Sequence, residues 1–253
     1  MSDAAFEDPR LAHLYDVLEG DRGDLGAFLH LAAEFGARSV LDIGCGTGTL
    51  ACLLAQRGVQ VTALDPARAS LEVARRKPYA DRVRWIQGDT ATLPPLQVDL
   101  VVMTGNVAQV FLDEDDWAGT LGAAHAALKP DGHLVFEVRN PDRQAWREWN
   151  REQSYRLLPH PGGGAVETWV ELTDVSLPYV SFRWTFAFVD EGITLTSNST
   201  LRFRSQAEIR ASLHAAGFAS TQVRDAPDRP GRELVFIATP TPVPHTDGVR
   251  GAP

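Results

Sequence analysis

Between Ser39 and Val138, short apolar runs of five or six residues alternate with stretches in which apolar residues recur every three or four positions. The runs predict strands at Ser39–Ile43, Val59–Leu64, Val83–Gln87, Val98–Met103 and His133–Val138. The wider spacing predicts helices at Leu50–Arg57, at Ala67–Lys77 and along the face of Trp117, Leu121, Ala124 and Leu128. Strands and helices alternating at this interval imply a parallel sheet with right-handed crossovers. Two more helical stretches come first, Leu11–Glu19 and Asp24–Phe35, the second stopped by Gly36.

From Pro141 to Arg204 the period changes to two, and four of the six tryptophans fall there. In Ser181–Val189, Phe182, Trp184, Phe186 and Phe188 share one face, while Ser181, Arg183, Thr185 and Ala187 share the other. A turn at Asp190-Glu191-Gly192 returns the chain along Ile193–Phe203, so the segment reads as an antiparallel insertion with an aromatic face to cover. Ser205 and Glu208 then form a capping box for a helix stopped by Gly217, and strands follow near Ser220–Arg224 and Glu233–Thr239. The expected organisation is N-terminal helices (1–38), a core (39–140), the insertion as lid or dimer interface (141–204), the end of the core (205–239) and a disordered tail (240–253).

Composition narrows the function classes. With 253 residues, 44% of them hydrophobic, a full α/β core is affordable, and a formal charge of −9 argues against a nucleic-acid surface. The two cysteines, Cys45 and Cys52, have no metal-ligand or disulfide spacing, no apolar run reaches membrane-spanning length, and the acidic N-terminus lacks a signal-peptide pattern. A cytoplasmic protein is expected. The acids Asp113–Asp116 are consecutive and read as a helix N-terminus, so no metal site is assigned.

Chemistry concentrates at the ends of the predicted parallel strands, where ligands bind in open α/β sheets. The first strand runs into Gly44-Cys45-Gly46-Thr47-Gly48-Thr49, whose alternate glycines allow a sharp turn and close backbone approach to a ligand. The spacing is G-x-G-x-G. A dinucleotide fingerprint has its third glycine where Thr49 stands, so the turn suits a nucleoside on a non-phosphorylated arm, such as S-adenosylmethionine. Asp65, at the end of the second strand, is suited to the paired ribose hydroxyls, although a helix cap before Ala67 is the competing reading. Asp89 in Gly88-Asp89-Thr90 ends the third strand, where a carboxylate can take a bond from an adenine amine, and Thr104-Gly105-Asn106 ends the fourth, where the reacting group belongs.

As a set, these residues resemble the class I S-adenosylmethionine-dependent methyltransferases. Leu41–Leu50 looks like that family's first motif, Leu64-Asp65-Pro66 like its second-strand acid, and Leu128–Leu134 like its turn before strand five. The resemblance implies a doubly wound, mostly parallel seven-stranded sheet of order 3-2-1-4-5-7-6, with strand seven antiparallel and the insertion between strand five and the next helix. It also implies that Gly44, Gly46 and Gly48 line the methionine arm with Asp42 near its amino group, that Asp65 holds the ribose, and that Asp89 and Thr90 hold the adenine. Tyr15, in the helices expected to fold over the cofactor, and Thr104 complete the cofactor set.

The expected reaction is methyl transfer to N or O of a small molecule by in-line displacement, leaving S-adenosylhomocysteine. Asn106, His160 and Trp184 are the candidate substrate-pocket residues, and no catalytic base is assigned. No nucleic-acid or membrane partner is expected, and a homodimer through the insertion is left open. Three alternatives stand beside this reading, of which a protein or nucleic-acid methyltransferase is disfavoured by the acidic balance and the aromatic insertion. An NAD-dependent oxidoreductase shares the sheet and the ribose acid but calls for a third glycine and a Tyr-x-x-x-Lys pair, and a non-catalytic S-adenosylmethionine-binding protein shares the whole cradle.

Overall fold

The computed structural model describes residues 3–20 and 22–241. The chain opens with α1 (Ala4–Glu7), α2 (Pro9–Glu19) and α3 (Asp24–Glu34). Asp8 starts α2 by accepting the Arg10 and Leu11 N–H groups, with Pro9 at the first helical position, where its missing donor costs nothing. The core follows as β1 (Ser39–Ile43), α4 (Thr49–Gln56), β2 (Gln60–Asp65), α5 (Arg68–Ala74), β3 (Val83–Gln87), β4 (Val98–Met103), α6 (Glu114–Ala127) and β5 (Leu128–Arg139).

Past α7 (Arg151–Ser154), the chain builds a second sheet from β6 (Arg156–Pro159), β7 (Ala165–Ser176), β8 (Tyr179–Phe188) and β9 (Ile193–Arg202), paired antiparallel in that order. The first sheet is completed by α8 (Gln206–Ala215), β10 (Phe218–Asp225) and β11 (Glu233–Pro240). Its order is β3-β2-β1-β4-β5-β11-β10, with β11 antiparallel to both neighbours and the inner strands parallel. This is the order implied by the family resemblance, β10 and β11 being the sixth and seventh core strands.

Helices cover both faces, so the central strands are apolar on both sides. Leu41, Ile43, Val101, Met103, Phe136 and Phe236 pack toward Trp117 and Leu121 of α6 and Leu213 of α8. Val40, Val61, Leu100, Val102, Val135 and Val235 pack toward Phe28 and Leu31 of α3 and Leu50 and Leu54 of α4. Alternation along each strand puts Asp42, Glu137 and Glu233 on this second face. All three carboxylates are buried, at 1 to 2% exposure.

Several boundaries differ from expectation. β5 begins at Leu128 rather than His133, because Leu128 already pairs with Val98 before a register shift ahead of the Leu100–His133 pair. α5 ends at Ala74, three residues short of Lys77. The tail does not begin at Pro240, which pairs with Phe218, and Thr241 donates its N–H and hydroxyl to the Gly217 carbonyl. The rest of the expected tail, 242–253, lies outside the described residues.

The aromatic face of β8 is shared between two clusters. Phe186 and Phe188 pack with Val166 on Leu11, Leu14 and Leu18 of α2, with Trp184 against them, while Phe182 packs with Trp146, Trp149, Leu201 and Phe203. Much of the face is therefore covered from within the chain, by the N-terminal helix and the segment after β5.

Candidate active site

The turn after β1 is tied to the end of β2 through its backbone. Gly44 N–H and Cys45 N–H both donate to the Leu64 carbonyl, at 2.8 and 3.1 Å, and Gly48 N–H closes onto the Cys45 carbonyl. Gly44, Gly46 and Gly48 all have positive φ (72°, 54° and 72°), which explains the alternation. A Cβ on Gly44 would meet Val107 at 2.6 Å and one on Gly48 would meet Trp85 at 2.4 Å, whereas one on Gly46 would meet nothing within 4 Å. The first and third glycines thus serve protein packing, and the second borders open space.

Two acids stand behind this turn. Asp65 Oδ2 accepts the Gly46 N–H at 2.7 Å and Oδ1 accepts the Ala67 N–H at 2.8 Å, so the carboxylate both braces the glycine turn and starts the path into α5. Burial pushes its pKa upward against these two bonds. Asp42 is different: neither of its oxygens has a hydrogen-bond partner. Burial and the nearby Asp65 raise its pKa to about 7. An orphaned, fully buried carboxylate costs several kcal/mol unless something answers it, roughly the desolvation penalty of a charged group.

At the end of β3, Asp89 is exposed and accepts the Ala91 N–H through Oδ1, capping the short turn that holds Thr90. Thr104 is buried at the end of β4. Gly105 and Asn106 then both take left-handed backbone angles (φ 70° and 62°), and the Gly105 N–H donates to Glu137 Oε1 at 2.8 Å. Tyr15 reaches this place from α2, its hydroxyl 4.0 Å from where a Cβ on Gly105 would sit. Burial raises the Tyr15 pKa, so it stays a neutral phenol.

α2 is fastened over the glycine turn by a polar clasp. Asp16 accepts from Thr47 Oγ1 at 2.6 Å and pairs with Lys77 Nζ at 2.7 Å, and Lys77 donates to Thr49 Oγ1 at 2.6 Å. Thr49, at the place of a third dinucleotide glycine, thus carries a helix contact that glycine could not make.

The structure brings together Tyr15, Asp42, the three glycines, Asp65, Thr104 and Asn106, with Asp89 and Thr90 at the neighbouring strand end. His160 stands apart: it is held in the β6–β7 turn by Gly163 and Gly164 and packs edge-on against Phe188 at 5.4 Å. Trp184 belongs to the insertion's inner face beside Phe186.

Sequence reading missed Glu137, Glu233, Arg139 and Gln109. Glu137 interrupts the apolar strand Leu134-Val135-Phe136, and a carboxylate at a buried strand position is itself a signal. Glu233 Oε1 accepts from Asn106 Nδ2 at 3.1 Å and Arg229 Nη1 at 2.9 Å. Arg139 lies on the Trp149 ring at 5.5 Å, and Trp149 meets Phe182 edge-on at 4.7 Å, which joins the end of β5 to the insertion sheet.

Residues 40–132 match the family model described as a methyltransferase domain. Over 170 residues the chain is 31% identical to the ubiquinone biosynthesis O-methyltransferase of Saccharophagus degradans, spanning 62% of this chain and 70% of that protein. The chain belongs to the class I S-adenosylmethionine-dependent methyltransferase family. It is also 28% identical over 145 residues to the cypemycin N-terminal methyltransferase of a Streptomyces species, spanning 56% of this chain and 59% of that protein. The CcbJ methyltransferase of Streptomyces caelestis shares the fold of this methyltransferase-family chain, with a TM-score of 0.73 at 22% identity over 95% of this chain and all of that one. The chain spans about half the length of several curated relatives it matches, 59%, 44% and 62% for three of them. S-adenosylmethionine is the cofactor of this family. No helix among the described residues is long and apolar enough to cross a membrane.

Proposed function

We propose that this protein transfers a methyl group from S-adenosylmethionine to a nitrogen or oxygen of a small-molecule acceptor. The observation that carries the reading is Asp42, a carboxylate 1% exposed with neither oxygen bonded, beneath a turn whose Gly46 faces open space. A cationic amine arriving there supplies the missing donors, and the methionine arm carries one. The pairing also favours the ionised form of Asp42 and so draws its raised pKa back down.

In this reading Gly44, Gly46 and Gly48 line the methionine arm, and Asp65 uses its remaining lone pairs for the ribose hydroxyls while its backbone bonds keep it in place. Asp89 and Thr90 take the adenine, and Tyr15 and Thr104 close on the reacting end. The cofactor supplies an electrophilic methyl group on a sulfonium. The protein's part is alignment in a dry enclosure, which the clasp of Asp16, Thr47, Thr49 and Lys77 secures from above. Asn106 and Trp184 are the proposed acceptor contacts. His160, bonded within its own turn, has the weakest claim of the three.

The test is calorimetric titration of the protein with S-adenosylmethionine, S-adenosylhomocysteine and NAD in parallel. Micromolar binding of both adenosyl ligands, on the order of 8 kcal/mol, with none of NAD is the expected result. Binding of NAD alone overturns the reading. Binding of the adenosyl ligands without transfer to any amine or phenol of a metabolite panel favours a non-catalytic binder.

A further inference from the structure

Beyond the carboxyl ends of β4 and β5 and the amino end of β11, a group of buried polar atoms is left with nothing to bond, and the cofactor cradle uses none of them. Asn106 Oδ1, Gln109 Nε2 and Glu233 Oε2 are solvent-free and unpartnered in residues 1 to 3% exposed. Glu137, also 2% exposed, spends Oε1 on the Gly105 N–H, and its Oε2 has no hydrogen bond among the described residues. The two acceptors among them, Asn106 Oδ1 and Glu233 Oε2, each cost about 1 to 3 kcal/mol when buried unanswered, so with the Glu137 carboxylate close by they mark this strand end as a place built for donors that come from outside the chain.

The charges around Glu137 say which donors fit. Asp24 of α3 and Glu233 of β11 face it with like charge. Arg229 faces it too but is committed to Glu233 at 2.9 Å, Asp228 at 2.9 Å and Asp24 at 3.8 Å. Asp24 in turn holds Arg22 at 2.9 Å. Arg139, on β5 itself, also faces Glu137 and Glu233 with its positive charge, but its guanidinium donates to Gln109 and rests on Trp149. Glu137 has no ion-pair partner of its own among the described residues, and the unpartnered oxygens of Glu137, Glu233 and Asn106 are three acceptors. An ammonium offers three donors and a positive charge, whereas a hydroxyl offers one donor and leaves two acceptors unanswered.

We infer that the acceptor is an amine and that Glu137 is the catalytic residue that receives its ammonium and takes a proton from it. This rests on the methyl-transfer reading above. An N–H bond of the ammonium breaks and an O–H bond forms at Glu137 Oε2; the electron pair stays on nitrogen, and the carboxylate becomes a carboxylic acid. The neutral amine is then left beside Gly105 and the Tyr15 hydroxyl with a free lone pair. Burial, with Glu233 adding to it, raises Glu137 to about 7, which suits a group that accepts a proton and returns it near neutral pH.

The test uses protein labelled with carboxyl-13C glutamate, saturated with S-adenosylhomocysteine, and methylammonium chloride as the smallest ammonium probe. Glu137→Gln identifies the Glu137 resonance by its loss and is expected to bind S-adenosylhomocysteine as the parent does. In the parent, methylammonium should shift that resonance and lower its titration midpoint, while methanol and sodium chloride at the same concentration should not. A Glu137 resonance that ignores methylammonium, or answers methanol equally, overturns the proposal while the cofactor reading stands. Failure of the parent to bind S-adenosylhomocysteine overturns the cofactor reading itself. If Glu137→Gln does not fold, Glu137→Asp, whose side chain carries no label, gives the assignment by the same loss of signal and the same outcomes apply.

Discussion

Asp65 carries two jobs in one carboxylate, and its substitution separates them from mere helix capping. Removing it leaves the Gly46 and Ala67 N–H groups without partners and the glycine turn unbraced. Loss of charge-assisted bonds of this kind costs on the order of 1.5 to 3 kcal/mol, so Asp65→Ala should weaken S-adenosylhomocysteine binding about 10- to 150-fold by calorimetry. An unchanged dissociation constant would remove Asp65 from the site. The three glycines divide differently. Gly48→Ala drives a Cβ into Trp85 and should lower the melting temperature of the free protein, while Gly46→Ala has room in the protein and should chiefly cost ligand affinity, beyond the strain of its φ of 54°. Thermal melts with and without S-adenosylhomocysteine distinguish the two. These positions were legible in the sequence because a turn, a strand end and a carboxylate recur at fixed spacing. Glu137 was legible only as an acid interrupting an apolar strand; with no spacing partner, its meaning comes from Gly105 and Glu233, which are brought to it only by the fold.

Among the elements, α2 does the most with the fewest residues. Leu11, Leu14 and Leu18 turn one face to Phe186 and Phe188 of the insertion sheet, while Asp16 turns to the glycine turn and Lys77. The helix therefore helps to join two sheets that also meet through the segment after β5 and through Tyr179 and Arg202, which reach Leu112 and Glu114 at the start of α6. Further ties reinforce it: Ala5 N–H donates to Ser197 Oγ of β9, Arg156 of β6 donates to the Leu18 carbonyl, and Ser70 of α5 donates to the Phe6 carbonyl. Asp16→Asn keeps the shape but removes the ion pair. Because the Asp16 side chain is 36% exposed, solvent screening limits the loss to about 0.5 to 1 kcal/mol. The expected result is faster hydrogen exchange along α2 and a two- to five-fold weaker S-adenosylhomocysteine affinity; unaltered exchange would mean that the apolar face alone fixes the helix. The alternating core and the long strands of the insertion were readable from periodicity. β6 was not, since its four residues are largely exposed and carry no alternation, and α1 is a single turn without an apolar face.

For the whole molecule, the buried carboxylates Asp42 and Glu137 burden the fold, and the sign of that effect is measurable. Asp42 and Glu137 each have a folded pKa of about 7, above the ordinary 3.8 and 4.5. The folded state therefore holds two protons that the unfolded chain has already released above about pH 5. Stability from this source is full below pH 4 and is lost as pH rises toward 7, by on the order of a few kcal/mol for each group. Asp99 works the other way: Lys129, the Arg38 and Ser39 N–H groups and the Ser39 hydroxyl hold it well below the usual carboxylate range, so its contribution is lost only in acid and is already complete by about pH 5. His133, lowered by burial, adds stability as pH rises toward the ordinary imidazole range and so opposes the trend. Comparison with variants isolates the carboxylate part. Asp42→Asn and Glu137→Gln should each flatten the fall in melting temperature between pH 5 and 8 in the free protein. Saturation with S-adenosylhomocysteine should flatten the Asp42 share alone, because only that carboxylate gains a cationic partner from the cofactor's methionine arm. If the ligand flattens the profile of Asp42→Asn as much as that of the parent, Asp42 does not meet the ligand's amine. The orphaned acid then belongs to the fold rather than to the site.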